Sequence, residues 1–129
     1  MIISVGVDLV EVERIQRALE DSRIGRRFRD RVFTKEEIEY CEKKRRGRYE
    51  SYASRFAAKE AVMKALGRGW SSTVRWLDIE VVRARSGKPE IALHDQTAQF
   101  AEKAGIRRFS LSITHTEHYG MAYVIAEAD

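Results

Sequence analysis

The stretch from about Arg48 to Leu66 constrains this chain most. It reads as one long helix, which Gly67 is well placed to terminate. At about 100° per residue, Tyr49, Tyr52, Ala53, Phe56 and Met63 form an apolar stripe, and Glu60 falls in its middle. A carboxylate in the centre of an apolar face demands a partner. Lys64, one turn on, supplies one reading, an i,i+4 ion pair. The other is that Glu60 and a second carboxylate converge on a hard divalent cation. A few carboxylates, with positions left open for water and phosphate, suit magnesium.

Around that helix the hydrophobic period changes along the chain. Ile2 to Val10 reads as a strand in which Ile3, Val5, Val7 and Leu9 alternate with Ser4, Gly6 and Asp8. Glu11 to about Leu19 reads as a helix with Val12, Ile15 and Leu19 on one face. Thr34-Lys35-Glu36-Glu37 is a capping box opening a further helix that carries Ile38 and Cys41 inward. Asp78 to Arg83 and Glu90 to Leu93 read as strands joined by the Ser86-Gly87-Lys88-Pro89 turn. Asp95 caps a short helix ending at Gly105, and Phe109 to Thr114 and Tyr119 to Ala126 form a hairpin in outline. Helices dominate the first half and hairpins the second. That order predicts an α+β fold with a mainly antiparallel sheet packed against the long central helix.

With 129 residues, the chain suits one domain with a modest core. Its 43% apolar content is too high for a disordered chain, and no apolar run approaches the roughly 20 residues of a membrane helix. The N-terminus lacks a basic leader, and the single cysteine, Cys41, forbids an internal disulfide; both point to the cytoplasm. Positive charge is clustered. Arg23, Arg26, Arg27, Arg29 and Arg31 crowd together with only Asp30 to offset them, and Lys43, Lys44, Arg45, Arg46 and Arg48 follow. Such clusters are either a solvated surface or the footprint of an anionic partner.

Asp8 and His115 stand out beside Glu60. Asp8 shares a strand face with Ser4 and Gly6, where Gly6 leaves room for something to approach. It either caps the following helix or joins Glu60 at a cation. His115 ends the apolar face of Phe109, Leu111 and Ile113. It is structural unless it faces a ligand. His115 and His118 lack a third ligand at zinc spacing. Lys59 and Lys64 flank Glu60, and Arg55 is on the same helix. Carboxylates with lysines around them have the composition of a site that grips a polyphosphate.

Four segments, GVDLVEVERI, RFAAKEAVMKALG, SGKPEIAL and LSITHT, resemble in order those of the holo-acyl-carrier-protein synthases, the short class of 4′-phosphopantetheinyl transferases. The resemblance implies one domain over residues 1–129 and transfer of the phosphopantetheine arm of coenzyme A to a serine of an apo acyl carrier protein. Adenosine 3′,5′-bisphosphate is released. By motif position it implies Asp8 and Glu60 as magnesium ligands and Lys64 beside the pyrophosphate. Asp8, Glu60 and Lys64 are then the catalytic set. Arg55, Lys59, Lys64 and His115 fall in segments that line the coenzyme A site. Arg14, Arg26, Arg27 and Phe28 match the surface that docks the acidic carrier. The family further implies a homotrimer with active sites between subunits.

Three other readings compete. A small nucleic-acid-binding domain would use the arginine clusters, but no recognition signature accompanies them and Glu60 is left unexplained. Another metal-dependent phosphotransferase would use the same acids on a nucleoside triphosphate. A scaffold trimer would merely pair Asp8 and Glu60 with lysines. The stretch Arg68 to Trp76, with Trp70 and Trp76, follows no assignable pattern.

Overall fold

A computed structural model describes residues 1–129. The chain runs β1 (Ile2–Glu11), α1 (Val12–Glu20), α2 (Gly25–Val32), α3 (Lys35–Lys43), α4 (Arg48–Leu66), β2 (Ile79–Arg83), β3 (Pro89–Leu93), α5 (Asp95–Lys103), β4 (Arg108–His115) and β5 (Tyr119–Glu127). The fold is α+β. Its strands form two antiparallel sheets, one ordered β1-β5-β4 and the other β2-β3. The first sheet lies against α4, whose remaining sides are covered by α1, α3 and β2.

This enclosure changes the nature of α4. From Ser51 to Leu66, every residue except Glu60 and Lys64 is buried. The helix therefore has no single apolar stripe with a carboxylate at its centre. Glu60 and Lys64, one turn apart, instead mark the one line of this segment left open between the covering elements. Alanines at positions 53, 57, 58, 61 and 65 let neighbours approach on nearly all sides. At its end Gly67 adopts a left-handed conformation, φ +73°, and its N–H returns to the helix carbonyls.

Strand β1 packs with the opposite sense to its hydrophobicity. Ser4, Gly6, Asp8 and Val10 face α4. Ile3, Val5, Val7 and Leu9 lie on the outer face, 39–59% exposed, beside Met121 and Tyr123 of β5. What approaches Gly6 is the helix backbone itself. A Cβ there would stand 1.9 Å from the Ala61 carbonyl oxygen, and one at Gly120 would stand 2.9 Å from the Ser54 nitrogen. Two strands thus rest directly on the helix, which fixes where their side chains meet it.

The Thr34 capping box forms as expected, with both reciprocal bonds. Its glutamate does more than cap. Glu37 is fully buried, accepting from Thr34 N at 2.8 Å, Val81 N at 2.8 Å and Lys59 Nζ at 2.9 Å. It therefore ties α3, α4 and β2 together. Two local expectations are corrected and one segment that had no assignment gains one. The first strand runs one residue further, to Glu11, because the pairing with β5 continues to Tyr119. The segment from Gly25 to Val32 is helical, its arginines lying around a core-facing Phe28 and Val32. Asp95 is not the cap of α5. It is the first helical residue at φ +50°, and buried Asp78 accepts from the Thr97 N–H at 3.4 Å.

Candidate functional site

The contact between β1 and α4 brings three chemically active side chains together. Asp8 lies within the strand, opposite Ala122 of β5, and does not cap α1. Its carboxylate accepts from Lys64 Nζ at 3.1 Å, and the same ammonium donates to the Val7 carbonyl at 2.9 Å. Lys64 thus pairs across to the strand, and Glu60 forms no ion pair with it. Burial and the charge of Asp8 push the Glu60 carboxyl above the ordinary carboxylate range, while Lys64 and Arg14 pull the other way. The two carboxylates are near enough to repel, and the two cations do not fully compensate them. Such an oxygen-donor pair fits a hard divalent cation. No third histidine, cysteine, aspartate or glutamate joins them, so most of the coordination shell would be water and ligand oxygen.

A second cluster lies elsewhere. Tyr40, Lys44, Ser51, Arg55, Arg83 and His115 line a cavity of about 380 Å³. Arg55 is nearly buried and donates to the Ser51 hydroxyl at 3.0 Å, while its buried Nε has no partner. Lys44, Arg55 and Arg83 form no ion pair with any carboxylate. Three uncompensated cations around a small cavity are an anion site in outline.

These clusters occupy opposite flanks of α4. Arg55 and Lys64 are nine residues apart, about two and a half turns, so they point in opposite directions. Asp8 and His115 likewise belong to the two edge strands of the three-stranded sheet. Arg55 therefore does not stand beside Glu60, although both are on one helix. One copy of the chain keeps the two clusters apart.

Lys59 belongs to neither. Its side chain is fully buried, paired with Glu37 and donating to the carbonyls of Trp76 and Ile79. All three ammonium protons are engaged within the fold, away from both clusters. Arg14, Arg26 and Arg27 are exposed, with Arg14 6.0 Å from the Phe56 ring and so beside Glu60's open line. Phe28 is half-buried, its ring 6.3 Å from both Phe33 and Phe56. Trp76 stacks on Phe56 at 5.1 Å, whereas Trp70 is exposed under Arg31. Both line a cleft of about 810 Å³ together with Arg31 and Asp95, and within it Arg75 pairs with Asp78 while His94 hydrogen-bonds Glu80. Sequence reasoning missed Tyr40 and Arg83, which meet only because β2 returns alongside α3.

The model of the 4′-phosphopantetheinyl transferase superfamily matches residues 4–124. A holo-[acyl-carrier-protein] synthase of Solibacter usitatus is 54% identical over 127 residues, covering 98% of this chain and 99% of its own. The crystal structure of the holo-[acyl-carrier-protein] synthase from Neisseria meningitidis superposes with a TM-score of 0.86 at 35% identity, covering 98% of this chain and 99% of that one. That of Helicobacter pylori, in complex with coenzyme A, gives 0.82 at 29% identity and covers 95% of this chain and 99% of its own.

Proposed function

The chain belongs to the 4′-phosphopantetheinyl transferase superfamily, among its holo-[acyl-carrier-protein] synthases, and on that premise we propose how its residues divide the work. It moves the phosphopantetheine arm of coenzyme A onto a serine hydroxyl of an apo acyl carrier protein and releases adenosine 3′,5′-bisphosphate. Residues 1–129 act as one transferase domain. The observation that carries this reading is the Asp8–Glu60–Lys64 cluster on the one open line of α4.

Asp8 and Glu60 would hold magnesium, which when bound would neutralise charge on the pyrophosphate. Lys64 exchanges its bond to Asp8 for pyrophosphate oxygens, which gain charge as the bridging P–O bond breaks. The serine oxygen bonds the phosphorus on the pantetheine side, and its proton leaves. Glu60, the carboxylate of the cluster that is not paired with Lys64, is the side chain offered to accept it.

Coenzyme A also carries a phosphomonoester, a separate dianion. The cavity of Arg55, His115, Lys44 and Arg83 suits it, with the orphan Arg55 Nε supplying an unused donor. The two half-sites of one copy face apart, so a complete site forms between copies. The apolar outer face of β1 and β5 supports this assembly, which we take to be a homotrimer. The carrier, an acidic protein, docks on Arg14, Arg26, Arg27 and Phe28. The chain acts in the cytoplasm; none of its helices is long and apolar enough to cross a membrane.

An intact-mass assay tests the reaction. Incubation with magnesium, coenzyme A and an apo acyl carrier protein should add one phosphopantetheine to the carrier. EDTA or the Glu60→Gln substitution should prevent the gain. Unmodified carriers in the complete mixture, with folded enzyme that binds no coenzyme A, would overturn the assignment.

A further inference from the structure

Tyr40 is the wall of the anion cavity that all three of its cations approach, and no carboxylate lines that cavity. The Arg55 guanidinium lies 4.1 Å from its ring centroid, Lys44 Nζ 4.9 Å and the Arg83 guanidinium 4.9 Å. Arg83 also donates to the Tyr40 hydroxyl at 2.8 Å. Like charges gathered this closely repel one another, and each is held here by the same aromatic ring. The ring faces solvent only in part, so these contacts are stronger than their fully exposed equivalents. Partial burial favours a neutral phenol. Lys44 and the charges of Arg55 and Arg83 nevertheless pull its proton affinity below the ordinary tyrosine range.

We infer that Tyr40 is a positioning residue that gathers Arg55, Lys44 and Arg83 into a specificity pocket for the phosphomonoester of coenzyme A, with Arg83 oriented by the Tyr40 hydroxyl. This rests on the functional reading above. No covalent chemistry is asked of Tyr40. Its ring preassembles a cation cluster that would otherwise disperse, and a dianion entering the cavity gains from a geometry already set.

The test compares KM and kcat for coenzyme A and for 3′-dephospho-coenzyme A. Wild-type enzyme should prefer the phosphorylated form through KM. Tyr40→Leu should raise KM for coenzyme A by about tenfold and leave KM for the dephospho form and kcat nearly unchanged. Tyr40→Phe keeps the ring and loses the hydroxyl bond to Arg83, so its effect should be smaller than that of Tyr40→Leu but confined in the same way to KM for coenzyme A. Equal effects of Tyr40→Phe on both substrates, or none on either, would overturn the inference and leave the transferase reading intact. A wild-type enzyme that transfers from both forms equally would refute the phosphomonoester pocket itself. Absence of transfer from either form would defeat the functional reading beneath it.

Discussion

Lys59 Nζ stands 2.9 Å from Glu37 Oε1, and neither side chain touches solvent. The capping glutamate of α3 and the central helix are thereby joined through a buried charge pair that also reaches β2. Removing one partner strands the other in a low-dielectric interior. Lys59→Met should cost about 3–5 kcal/mol in urea unfolding. The double substitution Lys59→Met with Glu37→Leu should recover part of that loss.

Gly6 and Ala61 set the distance between strand and helix. Gly6→Ala would push a methyl into the Ala61 carbonyl. The strand must then lift, at a cost of about 1–3 kcal/mol or more. Because Asp8 is two residues along, phosphopantetheine transfer should fall further than stability alone explains. Thermal unfolding and single-turnover transfer on the same sample would separate the two effects.

Much of this arrangement was legible beforehand, and the exceptions share a cause. The strand and helix periods, the Thr34 capping box and the Gly67 terminus are local signals, so the sequence carries them. Ile3, Val5, Val7 and Leu9 left the packing open, because apolar alternation marks one face without saying whether helix or solvent covers it. Small residues, Gly6 and Gly120, decided that question by admitting α4 to the other face. Glu60 was flagged for a stripe that the fully wrapped helix does not have. It remains notable for another reason, its shared opening with Lys64 and Asp8. Lys59, adjacent in sequence, faces the core. Tyr40 and Arg83 stayed invisible because they meet only through tertiary packing.

Glu60 should trade stability for function. Burial and Asp8 disfavour its ionised form. Glu60→Gln should therefore raise the metal-free melting temperature by a few degrees while abolishing most transfer. Asp8→Asn should likewise keep the fold and lose most activity, and magnesium should stabilise neither variant as it does wild type. Differential scanning fluorimetry with EDTA and with magnesium checks both.

Cys41 provides a pH signature. Burial, above all, pushes its thiol up to about 11, although a hydrogen bond to Ser51 opposes the shift. An unfolded cysteine ionises at about 8.5. The native state thus holds the proton more tightly, so this contribution is complete below about 8.5 and is lost as pH rises toward about 11. Cys41→Ala should flatten the alkaline decline of stability in that window. In native wild type the thiol should stay unreactive to aromatic disulfide reagents at pH 8 and react after denaturation.

Arg26 and Arg27 are exposed and free of ion pairs, so their charge is available to a partner. Arg26→Glu with Arg27→Glu should raise KM for the carrier several-fold and leave KM for coenzyme A unchanged. The wild-type preference should weaken with salt, since exposed charge pairs are screened within about 8–10 Å at moderate ionic strength. Transfer rates across a salt series, with carrier limiting, read this directly.

The opposed half-sites of α4 give the most direct test of the account. Arg55→Ala and Glu60→Gln each disable one half-site of a different kind. Each homogeneous protein should be nearly inactive. Co-expressed in equal amounts, they should assemble some interfaces that pair an intact Arg55 cavity with an intact Asp8–Glu60 cluster from the neighbouring copy. Random assortment makes about a quarter of the interfaces complete. Recovery of transfer near that fraction is the expected result. No recovery from mixed oligomers shown by mass spectrometry to contain both variants would contradict a site built between copies.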